Sequence, residues 1–182
     1  MAERSSNGPG RGFSHVPPHG MVMVRGRLGS RAFASALSGA GCPVPAKGRI
    51  VHRDGIDSAW MSPDELLVMC KSGALGTICR ELSTCLQDIH HLVVDVSDMR
   101  AEFEVNGDVR DILVKGTPAD LSPGSFRAGD FRRSRIGQVQ AAFWLTGKEC
   151  ARLICRRSEA EYLAGWLERA TARGSELEFH HR

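Results

Sequence analysis

The stretch Trp60-Met61-Ser62-Pro63-Asp64-Glu65-Leu66-Leu67-Val68-Met69-Cys70 reads as strand, tight turn and strand. Proline presets φ near about −65°, and the flanking Ser62 and Asp64 bond back to the backbone, so the apolar runs on either side fold against each other. Behind them, Ser72 to Leu86 places Leu75, Ile78, Cys79, Leu82 and Leu86 at spacings of three and four, which predicts a helix with Arg80, Glu81 and Gln87 on its wet side. The phrase returns as Trp144-Leu145-Thr146-Gly147-Lys148-Glu149-Cys150-Ala151-Arg152-Leu153-Ile154-Cys155, followed by a second helix candidate from Ser158 to Ala170.

Working outward, Met21-Val22-Met23-Val24 is a strand candidate. Phe33, Ala34 and Leu37 after Ser30 give a short helix that Gly39, Gly41 and Pro43 stop. Gly48 to Ala59 supplies a second strand. His91 to Val96 is β-rich without strict alternation, as in a strand covered on both faces. Arg100 to Val105 alternates with Ala101, Phe103 and Val105 inward, and Asn106-Gly107 turns into a helix carrying Val109, Ile112 and Leu113. Phe131 to Trp144 is strand material, and Glu176-Leu177-Glu178-Phe179 alternates as a last strand. Val24-Arg25-Gly26 matches Val105-Asn106-Gly107, and Cys42-Pro43 matches Thr117-Pro118, at a spacing of about eighty residues. The expected fold is α+β: two pseudo-repeated β-α-β-β-α-β halves, their sheet mostly antiparallel with helices packed on it, burying apolar faces against each other. Residues 1–20, rich in Gly, Ser, Pro and Arg, are expected to be a disordered tail, and residues 21–180 one domain with repeats at about 21–97 and 100–180. A single unduplicated α+β domain with coincidental echoes is the alternative.

A net charge of +3 with basic and acidic residues interspersed argues against a nucleic-acid partner, whose phosphates demand a dense positive stripe. No apolar run approaches the roughly 18 residues a membrane span needs, and the start has no apolar signal core, so a cytoplasmic location without a membrane is expected. The six cysteines form no Cys-x-x-Cys pair and the histidines add no zinc spacing, which favours reduced core thiols and no metal. Neither a Walker loop nor Gly-x-Gly-x-x-Gly is present. His52, His90 and His91 lie near Asp54, Asp88 and Asp95 in sequence, the makings of a carboxylate-oriented base, although such neighbours are common on strand edges. Trp60 and Trp144 at matching places favour core packing over ligand stacking. The cluster Arg132-Arg133-Ser134-Arg135 suits a charge-guarded strand edge or a contact with an acidic partner, with an anion clamp as the alternative.

Together Asp95-Val96-Ser97-Asp98, Val105-Asn106-Gly107, the run Asp111 to Leu121, Tyr162-Leu163-Ala164-Gly165-Trp166-Leu167 and Trp60 to Glu65 resemble the gamma subunit of bacterial heterotetrameric sarcosine oxidase, over roughly Met21 to Ala170. That family is similar to the folate-binding domain of glycine-cleavage aminomethyltransferases, whose Thr-Asn-Asp loop carries the acid of the folate chemistry. Here the loop is Thr117-Pro118-Ala119-Asp120, so the acid matches Asp120 while Asn is missing. The resemblance implies a non-catalytic accessory chain beside alpha, beta and delta subunits. FAD, FMN, NAD and tetrahydrofolate would be held by the alpha and beta partners. The complex would demethylate sarcosine to glycine, with hydrogen peroxide and formaldehyde or 5,10-methylenetetrahydrofolate as products. Cofactor-binding by this chain is expected only in the alternative of a self-sufficient folate-binding or aminomethyltransferase-like protein, at Asp120. An accessory role calls for a broad partner interface, of more than about 2,000 Å² in obligate cases.

Overall fold

The structure, a computed structural model, describes residues 10–177. In chain order its elements are β1 (Gly12–His15), β2 (Gly20–Gly26), α1 (Arg31–Gly39), β3 (Ile50–Arg53), β4 (Ile56–Ser62), β5 (Glu65–Cys70), α2 (Leu75–Leu86), β6 (His91–Asp95), β7 (Arg100–Asn106), α3 (Val109–Val114), β8 (Phe131–Ile136), β9 (Val139–Gly147), β10 (Cys150–Arg156) and α4 (Ala160–Thr171). None of the described helices is long and apolar enough to cross a membrane.

The chain divides into two units, one formed by Pro18–Asp98 and the other by residues 10–17 with residues 99–177. In the first, the sheet order is β3-β4-β5-β2-β6 and every pairing is antiparallel. Alternation sends Val22, Val24, Leu66, Val68 and Cys70 to one face, where Phe33 and Leu37 of α1 and Ile78, Leu82 and Leu86 of α2 bury against them. α1 stops as its glycines predict. Gly41 turns to φ 73°, its N–H bonds the carbonyl of Ser38 at 3.1 Å, and the N–H of Cys42 reaches that of Leu37 at 3.0 Å, a Schellman ending. In the second unit the order is β1-β7-β10-β9-β8, again wholly antiparallel. Phe103, Val105, Phe143 and Leu153 pack under Ile112 and Leu113 of α3 and Leu163 and Leu167 of α4.

The two sheets have one topology. β3, β4, β5 and β2 in the first correspond to β8, β9, β10 and β7 in the second, and the turn after β2 and β7 is the same: Gly26 N–H bonds Asp64 O at 3.0 Å, Gly107 N–H bonds Glu149 O at 2.9 Å. The fifth place is where the copies differ from a simple tandem repeat. β6 pairs with β2, as a closing strand of the first copy would, but the corresponding place beside β7 is taken by β1 from the start of the chain. β1 precedes β2 as β6 precedes β7, so each copy gives its leading strand to the sheet of the other.

Four expectations are corrected. Gly12–His15 is a strand and not tail, because its alternation was hidden by neighbouring Gly, Ser and Pro; residues 1–9 lie outside the described residues. In the expected last strand, Glu176 and Leu177 carry no strand, and Glu178 and Phe179 lie outside the described residues. The segment Gly48 to Ala59 is not one strand: Asp54 and Gly55 both take positive φ (52° and 80°), as a type I′ turn requires, and split it into β3 and β4. β6 is an edge strand with Leu92 exposed, not one covered on both faces.

Trp60 and Trp144 are not equivalent either. Trp60 pairs with Leu66 and packs on the helix side, whereas Leu145 is the residue paired with Ala151 there. Trp144 faces the other side of its sheet, buried against Phe131 with ring centroids 5.5 Å apart. The second phrase is one residue longer between Trp and Cys (144 to 155 against 60 to 70), and a one-residue slip sends a strand side chain to the opposite face.

A buried charge cluster fastens β1 into its unit. The Asp111 side chain, 3% exposed, sits 3.4 Å from Arg11 and 3.6 Å from Lys115, and its other oxygen accepts the N–H of Leu177 at 2.9 Å. Arg11 and Lys115 both donate to Ala170 O, at 3.1 and 2.8 Å, at the end of α4. Burial first, then the neighbouring Arg11, holds the Lys115 ammonium below its ordinary range. Asp111→Ala leaves two cations facing each other in a poorly hydrated corner. Urea denaturation should then show a loss of about 3–5 kcal/mol, and a loss below about 1 kcal/mol would contradict a structural role for the cluster.

Candidate functional site

The loop matched to the folate acid is built as a self-contained turn. Leu121 and Phe126 are buried, and Arg110 of α3 donates to the carbonyls of Leu121 and of Phe126, the latter at 2.7 Å. The guanidinium groups of Arg110 and Arg132 lie over the Phe126 ring at 5.7 and 5.6 Å. Asp120 is exposed and its carboxylate accepts the Ser122 N–H at 2.9 Å, the bond of an Asx turn. Thr117, 8% exposed, bonds Ser134 Oγ at 3.2 Å and receives the Ala119 N–H at 3.3 Å. These side chains shape a loop, and Asp120, exposed, is engaged by the turn itself.

The histidines do not pair with the acids nearest them in sequence. His52 does find a carboxylate, but it is Asp57 across the β3–β4 hairpin at 2.6 Å, with the imidazole 70% exposed. His91 Nδ1 donates to Ile89 O at 2.7 Å. Asp95 accepts from both the hydroxyl and the N–H of Ser97, which hold its carboxyl below the usual range. The arginine cluster is split by strand alternation. Arg132 turns to Phe126, to Ser125 O and to Asp130, while Arg133 and Arg135 stand exposed along the edge strand β8. Burial pushes the Cys42 thiol up to about 12 and the Cys155 thiol up to about 11, so neither is a nucleophile near neutrality.

What sequence reading missed is a cleft of about 560 Å³ in the unit Pro18–Asp98. It lies where β2 ends, β6 begins and the β4–β5 turn comes alongside, so Arg25, Arg27, Asp64, His90, His91 and Leu92 line it. Register places Gly26 opposite His91, and Arg25 opposite both Glu65 and Leu92. Arg25 donates to the Asp64 carboxylate, which also accepts the Ser62 hydroxyl at 2.6 Å; Ser62 and then Arg25 hold this carboxyl below its ordinary range. Arg27 and His90 have no side-chain hydrogen bond or ion pair among the described residues. The signal was present in the Arg25-Gly26-Arg27 and His90-His91 pairs, but only the β2–β6 pairing brings them together. Such a cleft can receive an anionic group beside an apolar one.

The family model of the sarcosine oxidase gamma subunit matches residues 25–173. The chain belongs to the sarcosine oxidase gamma subunit family. A curated member of this family, sarcosine oxidase subunit gamma of Corynebacterium sp. (strain U-96), is 26% identical over 149 residues, covering 81% of this chain and 71% of that one. A chain of the heterotetrameric sarcosine oxidase from Corynebacterium sp. U-96, solved in complex with pyrrole 2-carboxylate, superposes with a TM-score of 0.81 at 25% identity, over 91% of this chain and 86% of that one. Aminomethyltransferase T of the glycine cleavage system from Bartonella henselae shares the fold at a TM-score of 0.63 and 12% identity, over 87% of this gamma-family chain and 45% of its own. The α+β, folate-binding-like fold expected from the sequence is thus that of the gamma subunits.

The thiol environments of this gamma-family chain give a direct prediction. At pH 8, thiols near 12 and 11 are ionised to only about one part in ten thousand and one in a thousand, so native iodoacetamide labelling should spare Cys42 and Cys155 while the exposed Cys85 reacts first. Mass spectrometry of labelled peptides reads the order. Early labelling of Cys42 would contradict its burial.

Proposed function

We propose that this chain is a non-catalytic accessory subunit of a heterotetrameric sarcosine oxidase working in the cytoplasm. The observation that carries the reading is the superposition on a chain of the Corynebacterium oxidase over 91% of this chain, with 25% identity. The complex oxidatively demethylates sarcosine to glycine, releasing hydrogen peroxide and formaldehyde or passing the carbon to tetrahydrofolate as the 5,10-methylene derivative. FAD, FMN, NAD and folate are held by the alpha and beta subunits, and delta completes the assembly. Supporting the non-catalytic part, Asp120 serves a surface turn, and the buried thiols of Cys42 and Cys155 stay protonated.

Expressed alone, the chain should be colourless and should not oxidise sarcosine. Produced beside the alpha, beta and delta chains of the same source, it should co-purify with them in a yellow complex that does. Tetrahydrofolate titrated into the isolated chain should give no heat of binding. Flavin colour in the isolated chain, sarcosine turnover by it, or failure to join its partners would each remove the reading.

A further inference from the structure

The two units treat one corner of their common topology differently. Beside Gly107, the Cα of Arg11 lies so near that a Cβ on the glycine would approach it to 3.0 Å, and the Arg11 side chain runs inward to Asp111 and Ser175, so the chain closes the corner itself. The matching pair in the other unit is Gly26 and His91, and there the corner is the open cleft. The cleft lining carries two guanidinium groups, Arg25 paired with the Asp64 carboxylate and opposite Glu65, and Arg27, with His90 and His91 beside them. Arg25 is answered by these acids, while the Arg27 guanidinium has no side-chain partner among the described residues and supplies the free positive charge of the cleft.

The strand that borders the cleft is also the least protected edge. β8 carries Arg133 and Arg135 exposed, β3 is four residues long with His52 and Arg53 exposed, and β1 is also four residues long. Charge and shortness are the usual guards against pairing with another chain. β6 instead reads His91-Leu92-Val93-Val94-Asp95, pairs only with β2 among the described residues, and leaves Leu92 44% exposed. Its exposed charge, Asp95, sits at the far end of the strand, so the edge is apolar where it meets the cleft, and there it is shaped for an extended segment that adds main-chain hydrogen bonds along the strand and sets a carboxylate beside Arg27.

We propose that β6 and the cleft at its start, with Arg27 and Leu92 as the principal contacts, dock an extended acidic segment of a partner subunit by strand addition. The proposal rests on the subunit reading above. Its test uses the full chain and the alpha, beta and delta chains of the same source, immobilised, with capture of the unmodified chain compared with Arg27→Glu, Leu92→Lys and a control, Arg53→Glu, on the far edge of the same sheet. Arg27, Leu92 and Arg53 are exposed, and unchanged melting of each variant verifies the fold. Arg27→Glu and Leu92→Lys should each weaken capture about tenfold or more, with affinity of the unmodified chain falling as salt rises, and Arg53→Glu should stay within about twofold. Capture undiminished by both cleft substitutions overturns the proposal and leaves the subunit reading standing. No capture of the unmodified chain removes the subunit reading and the proposal with it. Capture displaced by inorganic phosphate and indifferent to Leu92→Lys assigns the cleft to a small anion and overturns strand addition.

Discussion

The constraint on which the structure depends is the need of β2 and β7 for a neighbour on their outer side. Each is a long strand with a buried face, and an unpaired row of its N–H and C=O groups in partly dry surroundings costs free energy at every rung. β6 meets that need for β2 and β1 meets it for β7, both by antiparallel pairing and both from the other copy of the repeat. The charge cluster of Arg11, Asp111 and Lys115 exists in this light to hold the short β1 in place, since four residues of ladder are weak by themselves. The exchange also means that neither sheet is complete on the residues of one copy: the unit Pro18–Asp98 takes β6 from the second copy, and the other unit takes β1 from the first.

Function follows from where the fold spends its side chains. In both units the helix-facing side of the sheet is filled by aliphatic and aromatic residues of α1 and α2 or α3 and α4, and the loop after α3 is closed over Phe126 by Arg110 and Arg132. The opposite face of the second sheet is committed as well, to Trp144 against Phe131 and to Arg152 bridging Glu102 and Glu104 at 2.8 Å each. The Asp120 carboxylate is committed to an Asx turn with the Ser122 N–H.

Much of this was legible in the sequence, and the failures have physical causes. The period-two pattern of Arg100 to Val105, the three-and-four spacing of Leu75 to Leu86 and the Gly39 to Pro43 stop each predicted their element because local chemistry and tertiary packing agree there. The Asp54-Gly55 pair was a readable turn signal, overlooked inside an apparently continuous strand. The tryptophans misled because identity of residue type was followed in place of face, and one extra residue in the second hairpin reverses the face. β1 and the cleft were hidden for a deeper reason. A four-residue strand stabilised by a partner about ninety residues away, and a cluster assembled from β2, β6 and a turn, have no local periodicity to betray them.

Native-state hydrogen exchange on the full chain and on a chain beginning at Pro18 tests the exchanged-strand account most directly. Removal of β1 should raise the exchange of β7 amides by about a hundredfold or more while those of β2, β5 and β6 keep their protection. Equal protection of β7 in both chains would show that its edge does not depend on the borrowed strand, and would contradict the account.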